Sequence, residues 1–169
     1  MSILRGFAHV YGDNIDTDRI IPGKYTKTLD EHVFALHVLE DLDPSFSRRV
    51  RPGDILVAGH NFGAGSSREQ AAIAIKTVGV SVVIARSFAR IFYRNAINIG
   101  LPLVEAPDHA IETGHLVQVD LEQGLIINET NGHTYQGTKM PAVMVSILQE
   151  GGLIPYLRRY GDYKPTTER

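Results

Sequence analysis

From Arg5 to Tyr11 apolar and polar residues alternate, the period-two pattern of a half-buried strand. Gly12-Asp13-Asn14 is a turn signal, and Pro22-Gly23 breaks the chain again, leaving Lys24 to Lys27 as a loop. Val33, Phe34, Leu36, Leu39 and Leu42 then recur at helical spacing. Thr28 and Glu31 are spaced as a capping box at the start of that helix, and Asp43-Pro44-Ser45 ends it. Asp54–Ala58 and Ser81–Ala85 are short, mostly apolar runs that read as buried strands. Each precedes a helical segment: Gln70–Lys76, rich in strong helix formers, and Ser87–Ile99, with Phe88, Ile91, Phe92 and Asn95 near one face. Leu103-Val104 follows as a third short strand, so the order predicts a parallel sheet with right-handed crossovers.

The pattern changes at His115. Leu116–Leu121 and Leu125–Asn128 predict a hairpin around Glu122-Gln123-Gly124, with a further turn at Asn131-Gly132. Met140 to Glu150 predicts a helix entered at Pro141 and closed by Gly151-Gly152. Leu153 to Tyr160 predicts a short last helix, and Gly161 to Arg169 a polar, frayed tail. The expectation is a single α/β domain over residues 1–169 with an added β layer.

Composition narrows the function classes. A hydrophobic content of 43% and a charged content of 21% are those of an ordinary globular chain. The formal net charge of −2 argues against nucleic acid or an anionic membrane as the main partner. There is no cysteine, so this chain offers no disulfide and no thiolate for zinc or an iron–sulfur cluster. No apolar run approaches the ~18 residues that span a bilayer, and the first residues lack a signal-peptide core. The expected location is the cytoplasm. His32 and His37 lie five apart and share no helix face, which makes them poor metal ligands.

The densest chemistry is Gly59-His60-Asn61-Phe62-Gly63-Ala64-Gly65-Ser66-Ser67-Arg68-Glu69. A glycine-rich turn leaves a strand and delivers two serines and an arginine to a helix N-terminus, where unpaired N–H groups and the dipole favour anions. Ser66 and Glu69 are spaced as a capping box, but a cap needs one hydroxyl and leaves the second serine and Arg68 unexplained. A dinucleotide fingerprint is disfavoured because Arg68 stands where the third glycine must pack. A nucleophile elbow is disfavoured because both serines follow the glycine pair. A carboxylate site fits better. Arg68 offers a forked donor, and a serine at the positive helix end could act as a base on a C–H beside a carboxylate. The electrophile for such a reaction would have to come from another chain. The crowded acids of Asp16-Thr17-Asp18-Arg19 read either as a solvated turn or as an aspartate paired with a cation at a pocket rim.

Together, Gly63–Glu69, Ala85-Arg86-Ser87-Phe88-Ala89-Arg90-Ile91-Phe92 with Asn95, and Gly12–Pro22 resemble the swivelling domain of the aconitase superfamily over roughly residues 5–160. In length and opening segment the chain is similar to the separate small subunits of the 3-isopropylmalate dehydratase and homoaconitase families. The resemblance implies a three-layer β/β/α fold and a hydro-lyase. It implies a larger partner subunit carrying a [4Fe–4S] cluster, no cofactor bound by this chain, and a small hydroxy di- or tricarboxylic acid as substrate. By position, Ser66 would be the general base, Ser67 and Arg68 would hold a substrate carboxylate, and Asp18 would join the active-site network. Lys27 lies in the loop where the resemblance places substrate discrimination. Relatives that take a third carboxylate carry a cation there, and isopropylmalate enzymes an apolar contact, so Lys27 leaves both substrates open. From a different class, a non-catalytic anion-binding regulatory module remains the alternative, and self-association of the isolated chain is left open.

Overall fold

The structure, a computed structural model, describes residues 3–161. In chain order its strands are β1 (Ile3–Val10), β2 (Ile55–Ala58), β3 (Val82–Ala85), β4 (Leu103–Glu105), β5 (Leu116–Asp120), β6 (Leu125–Asn128) and β7 (Thr134–Gln136). Its α-helices are α1 (Thr17–Ile20), α2 (Glu31–His37), α3 (Phe46–Arg49), α4 (Glu69–Thr77), α5 (Arg90–Asn98), α6 (Ala142–Gln149) and α7 (Leu153–Tyr160). A single 3-10 turn spans Gly23–Tyr25.

The strands form one seven-stranded sheet in the order β4-β3-β2-β1-β5-β6-β7. The β4-β3-β2-β1 half is parallel and the β1-β5-β6-β7 half antiparallel, with β1 belonging to both. Side-chain alternation turns this one sheet into layers. Leu56, Ala58, Val83, Ala85 and Leu103 pack with Phe34, Ala71, Ala72, Ile75, Phe92 and Ala96 of α2, α4 and α5. The intervening residues Ile55, Val57, Val82, Ile84 and Val104 pack on the other face against Val117, Val119, Leu121 and Ile126. The antiparallel half therefore curls over the back of the parallel half, giving the expected β/β/α order.

Several local expectations are corrected. The helix expected from Thr28 to Leu42 is α2 alone: Asp30, not Thr28, caps it by accepting the His32 N–H. It ends early because Leu39 turns into the left-handed region at φ 56° and gives its N–H to the Ile20 carbonyl at 2.8 Å. The short α3 was not expected. The helix expected from Ser87 begins instead at Arg90, and within it Ile91 faces solvent while Phe92 and Ala96 face the core. Pro141 precedes α6 as its cap. The tail expected to fray lies, beyond Gly161, outside the described residues.

Candidate functional site

The serine turn leaves β2 at Ala58 and reaches α4 at Glu69. Its path is fixed by backbone pairing on both flanks. Towards the opening segment, Asn14 N–H donates to His60 O, Gly63 N–H to Ile15 O and Thr17 N–H to Ala64 O, each at 2.8 Å. Towards the segment after β3, Phe62 N–H donates to Ser87 O at 3.0 Å, Ala89 N–H to Phe62 O at 2.9 Å and Asn61 N–H to Ser87 Oγ at 2.8 Å. This explains why Ser87 and Phe88 precede the helix: they are needed as an edge for the turn. Two glycines are required here. Gly63 has φ +86°, and a Cβ would sit 2.3 Å from Phe92 Cγ; Gly65 has φ +100°. Arg86, in the same block, turns away and bonds the carbonyls of Pro107 and His109.

The expected capping box does not form. α4 starts at Glu69 with Arg68 in the cap position, and no side chain caps it. The Arg68 N–H is taken by Ser66 O at 2.9 Å, which tightens the turn and leaves Ser66 ahead of the helix. Freed from capping, Ser66 and Ser67 are both exposed. Ser67 makes no side-chain hydrogen bond among the described residues. Ser66 meets Thr17, whose Oγ1 donates to Ser66 O at 3.0 Å and lies 3.3 Å from Ser66 Oγ. Thr17 is itself buried, at 3% exposure, so its hydroxyl is held rigidly under the serine.

Arg68 and Asp18 come together. Arg68 Nη1 donates to Asp18 Oδ1 at 2.7 Å and to Ile21 O at 3.4 Å, and Gly23 N–H donates to the same Asp18 oxygen at 3.2 Å. The hydrogen bond from Arg68, helped by the Gly23 N–H, holds the Asp18 carboxyl below the usual carboxylate range. Asp18 is largely exposed, so the pair orients more than it stabilises. Arg68 Nε and Nη2 keep no acceptor among the described residues and remain available to a carboxylate. Lys27 is exposed just past the 3-10 turn, with no hydrogen bond or ion pair among the described residues; the structure does not join it to the serine–arginine group.

Known proteins are similar to this chain in sequence and in fold. The Aconitase C-terminal domain family matches residues 40–108. The small subunit 1 of 3-isopropylmalate dehydratase from Methanopyrus kandleri is 51% identical over 161 residues, covering 94% of this chain and 95% of that one. The small subunit from Caldicellulosiruptor bescii is 56% identical over 158 residues, covering 92% of this chain and 95% of that one. The chain belongs to the family of 3-isopropylmalate dehydratase small subunits. A solved 3-isopropylmalate dehydratase structure from Methanocaldococcus jannaschii superimposes on it with a TM-score of 0.89 at 46% identity, covering 94% of this chain and 95% of that one.

Within this dehydratase small-subunit family, the matched aconitase segment contains Ser66, Ser67 and Arg68; Asp18 and Lys27 lie before it. Two participants were missed from the sequence. Thr17 stands in the sequence between acidic neighbours, and Gly23 carries only the local signature of a chain break. Their one local signal was adjacency to Asp18 and to the turn. Among the described residues no three His, Asp or Glu side chains gather as metal ligands, and no helix is long and apolar enough to cross a membrane.

Proposed function

We propose that this chain is the catalytic-base half of a 3-isopropylmalate dehydratase, working only with a large subunit. The observation that carries the reading is Ser66 exposed beside an uncapped helix start, two residues from an arginine with free donors. Arg68 Nε and Nη2 would grip a substrate carboxylate as a fork. That places the adjoining C–H against Ser66 Oγ, which as the alkoxide takes its proton during dehydration, becoming the neutral hydroxyl, and returns it to the neighbouring carbon on rehydration, restoring the alkoxide. Thr17 Oγ1 donates to the Ser66 carbonyl at 3.0 Å, and at 3.3 Å from Oγ it can turn its hydroxyl to stabilise the Ser66 alkoxide before proton transfer and after the proton is returned. Ser67 would add a hydroxyl donor to the carboxylate. Asp18 keeps the Arg68 plane facing outward.

Residues of this chain do not fit an iron–sulfur cluster, since it has no cysteine. Such a cluster on the large subunit would supply the Lewis acid that draws off the substrate hydroxyl. Lys27 supports a second substrate reading, a tricarboxylate such as homocitrate, because an exposed cation without an ion pair among the described residues follows the turn whose first residue, Gly23, adjoins Arg68. Reconstitution with the large subunit decides between them. Turnover of isopropylmalate is expected, with none by the isolated chain. Turnover of homocitrate alone would transfer the assignment, and an undiminished Ser66→Ala complex would remove the base.

A further inference from the structure

The 3-10 turn Gly23–Tyr25 touches the candidate site at one end and is anchored at the other. At its first residue, the Gly23 N–H holds Asp18 at 3.2 Å, and the Arg68 guanidinium lies 3.1 Å from where a Gly23 Cβ would stand. At its last residue, the Tyr25 ring lies parallel to the His37 ring, with centroids 3.8 Å apart and planes 4° from parallel. One carboxylate ties both rings. Tyr25 O–H donates to Glu40 Oε2 at 2.8 Å, and His37 Nδ1 lies 2.8 Å from Glu40 Oε1. Lys24 Nζ sits 5.2 Å from the Tyr25 ring centroid, adding a cation to the stack.

The turn's other contacts are local or apolar: Thr26 Oγ1 donates to Gly23 O at 2.7 Å, and Tyr25 packs against the helical core. The backbone closes it locally, with Tyr25 N–H on Pro22 O at 3.0 Å and Thr26 N–H on Gly23 O at 3.1 Å. Those bonds shape the turn but do not aim it. Aim comes from the ring pair, because Tyr25 cannot rotate without breaking the stack and the Glu40 bond together. Lys27 follows two residues later with no hydrogen bond or ion pair among the described residues. The His37 and Tyr25 hydrogen bonds keep the Glu40 carboxyl below its ordinary range, so it stays an acceptor at neutral pH.

We propose that Glu40 is a positioning residue for substrate discrimination: through Tyr25 and His37 it sets where the Gly23–Lys27 turn stands over the carboxylate held by Arg68. This deepens the dehydratase reading given above and rests on it. Glu40 touches no reacting atom, so its loss shifts substrate binding and leaves proton transfer alone.

Two measurements test it. In the isolated chain, trypsin cleavage after Lys24 and Lys27 reads the turn directly, without any activity. Glu40→Ala and Tyr25→Phe are expected to speed that cleavage at least fivefold, and Glu40→Gln, which keeps an acceptor for the tyrosine, by less. Unchanged cleavage in both overturns the clamp. In the complex with the large subunit, KM is compared for isopropylmalate and for an analogue bearing a carboxylate in place of its isopropyl group. The two variants are expected to change the ratio of the two KM values at least threefold, with kcat on the better substrate within twofold. An unchanged ratio, or a kcat that falls with KM unmoved, overturns the specificity role. Ser66→Ala is run alongside: if that complex stays active, the base assignment fails, whereas an inactive Ser66→Ala complex beside an unchanged KM ratio sinks the clamp alone.

Discussion

The two halves of the sheet share β1 and differ in almost everything else. On the parallel side every residue of β2 and β3 is buried. On the antiparallel side β5 alternates between buried and half-buried residues, and β7 is never fully buried. Strands covered on both faces have no room for polar side chains, so polarity and chemistry move to the loops beyond their carboxyl ends. Every candidate residue lies there, in 17–27 after β1 and in 59–68 after β2. The antiparallel half has turns that satisfy themselves: Asp120 Oδ1 accepts the N–H groups of Glu122 and Gln123 at 3.1 and 3.2 Å. It forms the wall behind the half that carries the candidate site.

The most severe way to probe this contrast is Ser66→Ala. The side chain is exposed, so the melting temperature should hold while kcat of the complex falls by about 10²–10⁴, the usual worth of a general base. Ile126→Ala should do the reverse. Ile126 is fully buried in the antiparallel wall, and its truncation should cost about 2–5 kcal/mol in urea unfolding while kcat of surviving complex stays unchanged. A lost kcat there would break the division of labour. Arg68→Lys keeps the charge but removes the fork, which should cost about 2 kcal/mol, or ~30-fold in kcat/KM. The mildest probe is Asp43, below the site in the helical layer. Burial opposes its ionisation, yet hydrogen bonds from Tyr11, Ser45 and Arg49 outweigh that and hold the carboxyl at about 2. A depressed acid contributes its full stabilisation above its ordinary value of 3.8 and loses it as pH falls through about 2. The melting temperature should therefore drop more steeply between about pH 4 and pH 2 in the natural protein than in Asp43→Asn.

The strand–turn–helix carrying Ser66, Ser67 and Arg68 was readable because its signals are local: an apolar run, spaced glycines and strong helix formers. The misplaced cap shows where local signals stop. Spacing alone put Ser66 over the helix, but the Arg68 N–H closes back on Ser66 O, and that depends on how the turn is laced to Ile15 and Ser87. Thr17 was invisible for a related reason: it meets Ser66 only through the pairing of residues 14–17 with 60–64, a long-range register. The premature end of α2 is likewise tertiary, imposed by the Leu39–Ile20 hydrogen bond. Ile91 shares the expected face only if Phe88 is helical; with Phe88 outside α5 the buried stripe is Phe92, Ala96 and Ile97, and Ile91 falls off it. His37 shares no helix face with His32; its partners are Glu40 and Tyr25, the latter a ring brought in from another segment.

The shared strand also dictates the timing of assembly during synthesis. β1 is synthesised before β5, yet Ile3 pairs with Asp120 and Phe7 with Leu116. Until β5 and β6 have emerged, one hydrogen-bonding edge of β1 and the back surface formed by Ile55, Val57, Val82 and Ile84 have no cover. The nascent chain thus passes through a stage with a bare strand edge and a greasy flank, the state that invites wrong pairing or chaperone capture.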